Sequence, residues 1–201
     1  MILETIALLA LGDSLVNPSL NPVETSWPEL IGAENIGSPG ATAPRWNRPP
    51  LVDLIVPAEI ALVLIGTNDA LNLQSTPERY RGDLERLIEE MLDRGVVEVV
   101  LLKMPLFDGI PPSDTLRLEA YHLVIEDLCT GPVTCGPDLN EVMLPEHYGA
   151  DLIHPLQSGH DAIAVAVEEF LAPKPAPSLT PLGIGAVLSL LGGMSQIRLI
   201  F

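Results

Sequence analysis

Three short stretches of this 201-residue chain place reactive side chain types where a strand gives way to a turn. An apolar run from Ile6 to Leu11 stops at Gly12-Asp13-Ser14, and another, 60–66, leads into Thr67-Asn68-Asp69. Near the end, "DLIHP" at 151–155 sets Asp151 three positions before His154. A serine hydroxyl attacks a carbonyl only once a base takes its proton, and imidazole suits that task near neutral pH. Asp151 lies close enough along the chain to reach His154 Nδ1–H, fix the tautomer and support an imidazolium. The other histidines fit less well: His122 falls inside a predicted helix, and His147 and His160 lack a matching orienting group. Ser14, His154 and Asp151 are therefore the candidate nucleophile, base and orienting acid. Plainer readings stand beside this one. Gly-Asp-Ser is ordinary turn chemistry, Asn68 could cap the next segment, and Asp13 and Asp69 suit backbone turns rather than reaction. His147, Asp151, His154 and His160 could also gather around a metal.

The elements that must position these groups follow from the apolar pattern. Residues 5–11, 60–66 and 96–104 are near-continuous aliphatic blocks, as strands covered on both faces require. Residues 77–94 have helical spacing at Tyr80, Leu84, Leu87, Ile88, Met91 and Leu92, with Thr76 as N-cap, Pro77 at N1 and Gly95 at C′. A second helix is predicted over 114–128 after Ser113, with Leu116, Ala120, Val124 and Leu128 on its inward stripe. A last helix is predicted over about 158–171, and short strands near 34–36 and 132–135. Strand–helix alternation implies parallel pairing and right-handed crossovers, hence a three-layer α/β/α sandwich. In such folds reactive groups gather beyond the carboxyl ends of the strands.

Composition narrows the function classes. A hydrophobic content of 47% supports a real core, and only 4% aromatic residues make that core aliphatic. Residues before Pro173 hold all 27 acidic residues against eight basic ones, a net of −19, which repels nucleic acid. Cys129 and Cys135, in "CTGPVTC", read equally as a loop disulfide or as two buried thiols.

Four blocks in order, "GDSL" at 12–15, "NIGSPGAT" at 35–42, "GTND" at 66–69 and "DLIHP" at 151–155, resemble the SGNH hydrolases, the GDSL-type esterase and lipase superfamily. The resemblance covers about residues 3–172. It implies a flavodoxin-like central parallel sheet and hydrolysis of carboxylic esters through an acyl-serine, with no cofactor or metal. It also implies an oxyanion hole from the Ser14 and Gly40 backbone N–H groups and the Asn68 side-chain amide. The chain departs from the family pattern at Val16, where Ser or Thr is common, and at Leu152, where a small residue such as Gly often sits. The expected substrates are short-chain or single-acyl esters. Acyl transfer to an alcohol is the alternative within catalysis, and a non-catalytic surface module the alternative outside it.

After a hydrolase domain at 1–172, a proline-rich linker at 173–178 leads to an apolar tail at 179–201. Residues 179–194 would span about 24 Å as a helix, against a bilayer core of ~30 Å. The tail reads as a membrane attachment that faintly resembles bacterial surface-protein sorting segments, with a terminal helix packed on the domain as the alternative. The chain start shows neither a basic n-region nor a small-residue cleavage site, so no secretory signal is expected there.

Overall fold

Five short strands form one sheet, and the three central ones are too apolar to face water. They are β1 (Ile6–Gly12), β2 (Glu34–Asn35), β3 (Ala58–Leu64), β4 (Glu98–Lys103) and β5 (Val133–Asp138). The computed structural model describes residues 6–18, 23–71, 75–105 and 111–173. Leu9–Leu11, Leu62–Leu64 and Val99–Leu102 are buried, as parallel strands covered on both faces must be. All neighbours pair parallel, in the order β2-β1-β3-β4-β5. The order reverses between β1 and β3, so a crevice opens beyond their carboxyl ends. Gly12 pairs with Leu64, which brings the two strand ends level. Whatever follows β1 and β3 therefore leaves the sheet side by side.

The long helices cover the sheet. Helices α1 (Trp27–Leu30) and α7 (Gln157–Leu171) pack on each other, while α4 (Pro77–Asp93) packs on α5 (Pro112–Leu128). Tyr80 of α4 stacks on Tyr121 of α5, ring centroids 4.3 Å apart. This is the α/β sandwich expected from the strand–helix alternation. Thr76 caps α4 as predicted, its hydroxyl accepting the Arg79 N–H at 3.3 Å.

Helix α5 departs from expectation in two ways. It starts before Ser113, at Pro112, and its inward face is Leu118, Tyr121, His122, Val124 and Ile125. Leu116, placed on the inward stripe by spacing, is 67% exposed. Apolar residues run nearly all round this helix, so spacing could not choose the face. The Tyr121–Tyr80 stack and the bond from His122 Nε2–H to Met104 O at 2.7 Å choose it. Burial pushes the His122 imidazole below its ordinary range, consistent with a neutral structural ring.

Cys129 and Cys135 form a disulfide, with Cα atoms 5.3 Å apart, tying the end of α5 to β5. From Lys174 on, the linker and tail lie outside the described residues. Among the described residues, no helix is long and apolar enough to cross a membrane.

Candidate active site

Gly12 shows why the first strand ends where it does. A Cβ there would stand 2.0 Å from Leu64 O on the neighbouring strand, so only glycine fits. The chain then turns tightly around Asp13. Its carbonyl accepts the N–H groups of Val16 and Asn17 at 3.2 and 3.1 Å, and its Oδ1 accepts that of Leu15 at 2.9 Å. Both tryptophans hold this turn from outside: Trp46 Nε1–H donates to Gly12 O at 3.1 Å and Trp27 Nε1–H to Leu15 O at 3.0 Å. Asn35 Nδ2–H donates to Val16 O at 3.0 Å. These clamps escape sequence reasoning, because they join the turn to tryptophans outside the motif blocks.

Ser14 stands on the outer side of this turn, 7% exposed. Its Oγ lies 2.8 Å from His154 Nε2, and His154 Nδ1 lies 2.7 Å from Asp151 Oδ2. With Nδ1–H donated to the carboxylate, Nε2 is left to accept the serine proton. The structure thus brings Ser14, His154 and Asp151 into one line.

The loop bearing His154 is held at several points. Tyr148 and Pro155 bridge antiparallel, Gly149 N–H donates to His154 O at 2.9 Å, and Leu156 N–H to His147 O at 2.8 Å. Asp151 Oδ1 accepts the N–H groups of Ile153 and His154, each at 3.0 Å. Burial pushes the Asp151 carboxyl up, but the hydrogen bonds from His154 and Ile153 outweigh it and hold the group below its ordinary value. To wrap these donors around one carboxylate, Leu152 takes φ 60°, the left-handed region. For a residue with a Cβ that costs about 1–2 kcal/mol.

On the other side of Ser14, Gly40 turns outward at φ 70° with open space where a Cβ would be. Neither the Gly40 N–H nor the Ser14 N–H has an acceptor among the described residues. Asn68 sits in α3 (Thr67–Leu71), directly after β3. Its Nδ2 donates to Asp13 Oδ2 at 3.3 Å and to Ala41 O at 3.1 Å, so it bridges the Ser14 turn to the Gly40 loop. Behind this bridge two carboxyls are fully buried. Burial raises Asp13 to about 7, with the nearby Asp69 charge adding to it, and raises Asp69 to about 6. Asp69 accepts the Ala43 N–H at 3.1 Å at the start of α2 (Ala43–Trp46), which fits the structural role expected of it.

The remaining histidines are engaged elsewhere. His147 Nδ1 accepts the Leu144 N–H at 3.1 Å, and His160 Nδ1 accepts the Trp27 N–H at 3.2 Å. Among the described residues, no group of three or more His, Cys, Asp or Glu could hold a metal ion.

His160 yields a stability prediction. Burial lowers its pKa from 6.5 to about 4, so the folded state favours neutral imidazole. That contribution is complete above the unfolded value and is lost as pH falls toward 4, by about 2–3 kcal/mol. Urea unfolding of wild type and His160→Gln, from neutral pH to mildly acidic pH, should show a smaller acid loss in the variant. Parallel curves would contradict the assignment.

A model of the GDSL-like lipase/acylhydrolase family matches residues 10–162. No curated protein sequence matches significantly. Among solved structures, a lipolytic protein of the G-D-S-L family from Veillonella parvula DSM 2008 superposes with a TM-score of 0.70 at 16% identity, covering 83% of this chain and 98% of that one. A carbohydrate esterase of family 3 from Talaromyces cellulolyticus gives 0.64 at 16% identity, over 82% and 95%. A catalytic mutant of an acetylxylan esterase from Geobacillus stearothermophilus gives 0.65 at 18% identity, over 89% and 100%. At such identities these structures speak for the fold, whereas the family match spans most of the chain and every block around Ser14. The chain belongs to the GDSL-like lipase/acylhydrolase family and is a carboxylic ester hydrolase.

Proposed function

We propose that ester hydrolysis proceeds through an acyl group carried on Ser14, with His154 as base and then acid, and Asp151 orienting it. The observation that supports this most is the unbroken contact from Ser14 Oγ through His154 to Asp151, at 2.8 and 2.7 Å. His154 Nε2 takes the hydroxyl proton as Oγ bonds to the ester carbonyl carbon. The resulting oxyanion takes hydrogen bonds from the Ser14 and Gly40 N–H groups and from the Asn68 amide. Asn68 gives up its 3.3 Å bond to Asp13, which is at the long end for such a contact, in favour of the more basic oxyanion. His154 then protonates the leaving alkoxide, the C–O bond breaks, and water repeats the sequence to release the acid. The reaction needs no cofactor.

The substrate is a small ester with one short acyl group. The similarity to an acetylxylan esterase supports a small acyl group. A panel of p-nitrophenyl esters from acetate to palmitate, with Ser14→Ala as blank, tests this reading. kcat/KM should peak among the short chains, and a maximum at palmitate would contradict it.

The apolar tail at 179–201 attaches the domain to a membrane, and the domain ends near residue 172. No proposed reacting group lies beyond His154, so deleting 173–201 should leave kcat on soluble esters unchanged while abolishing vesicle co-sedimentation. Loss of activity or aggregation of the truncated protein would instead place the tail in the folded domain.

A further inference from the structure

Leu152 occupies a backbone conformation that disfavours its own side chain. It is the one residue other than glycine at positive φ among the described residues. The cause is local: Asp151 gathers the N–H groups of Ile153 and His154, while the Leu152 N–H donates to Gly149 O at 3.0 Å. Glycine would meet that requirement without penalty. Burial does not compensate leucine either, because its side chain is 44% exposed. Strain of this kind, at a site, points to a use for the side chain.

The position suggests the use. His154 must hand its proton to the leaving oxygen, so the alcohol half of the ester lies on the imidazole side of Ser14. The oxyanion donors Gly40 and Asn68 come from other segments, the loop after β2 and helix α3 after β3. Leu152 is two residues from His154 on the same turn, and Leu156, two residues beyond it, is 41% exposed. Both present apolar carbon to water on the segment that carries His154. A polyol laid on that carbon would lose hydrogen bonds to water, whereas an alkyl or aryl group would cover the leucine.

We propose that Leu152 lines the subsite for the leaving alcohol and selects an apolar alcohol over a sugar. This rests on the roles given to Ser14 and His154 above. The test measures kcat/KM for the full chain on two series. One keeps acetate and varies the alcohol (methyl, butyl, hexyl, and xylose as its monoacetate with the other hydroxyls free); the other keeps methanol and varies the acyl group. In wild type, activity should rise from methyl to hexyl acetate and exceed that on the xylose ester. Leu152→Gly should lower hexyl acetate about five- to tenfold, leave methyl acetate within about twofold and leave the acyl series unchanged. Leu152→Met should restore the rise, and the melting temperature of Leu152→Gly should not fall.

A Leu152→Gly enzyme that keeps the rise would overturn the proposal, as would a wild-type preference for the xylose ester. An equal loss on methyl and hexyl acetate would also overturn it, placing Leu152 in the positioning of His154. Turnover of methyl acetate that Ser14→Ala abolishes shows that the underlying reading holds while Leu152 alone is tested. Without Ser14-dependent turnover on any ester, both fall.

Discussion

Ser14→Ala is expected to lower kcat for ester hydrolysis by about 10⁴-fold or more. The variant loses the atom that bonds to the carbonyl carbon, the hydroxyl oxygen held 2.8 Å from His154 Nε2. What survives is binding and oxyanion stabilisation, which still favour reaction with water. The fold should not suffer. The turn is held by Asp13, Trp27, Trp46 and Asn35, none of which uses the Ser14 side chain. Residual activity and the melting temperature should be measured together, and the melting temperature should stay within a few degrees of wild type. His154→Ala should cost about as much. Because the two groups act as a unit, the double variant should be little worse than either single one. Multiplying losses would mean that the two residues act independently, against the 2.8 Å contact.

Asn68→Ala should lower kcat by about 10²–10³ while KM changes little. An oxyanion donor acts on charge that exists only in the transition state, so ground-state binding is spared. Asn68→Asp should be at least as damaging. It would add a third carboxyl beside Asp13 and Asp69, which burial already pushes to about 7 and about 6. It would also remove the N–H that Asp13 Oδ2 accepts at 3.3 Å. Steady-state kinetics on p-nitrophenyl acetate decide the matter. A rise in KM with unchanged kcat would move Asn68 from the oxyanion to substrate binding.

Much of this arrangement is legible in the residues. The aliphatic blocks that become β1, β3 and β4 are unmistakable because both faces of each strand are buried, and the spacing of Asp151 and His154 survives intact in the turn. Other features have no local signature. Helices α1 and α2 and α6 (Leu139–Val142) are four residues each, too short to show a period. The inward face of α5 depends on Tyr121 meeting Tyr80, a contact 41 positions away in sequence. The sequence alone does not separate a disulfide from free thiols, since the approach of α5 to β5 is what brings the cysteines within bonding range. The clamps of Trp27 and Trp46 on the serine turn, and the bond of Asn68 to Asp13, join segments distant along the chain. The left-handed Leu152 could not be read from spacing either, because leucine is a poor indicator of that conformation.

The acyl group on Ser14 is the centre of the account, and it can be caught. Wild type mixed with p-nitrophenyl acetate and quenched in acid within the first turnover should gain the mass of one acetyl group. Peptide mapping should place that group on Ser14, and His154→Ala should accumulate far less of it over the same interval. An acetyl group found on another residue, or one that persists in Ser14→Ala, would contradict the account.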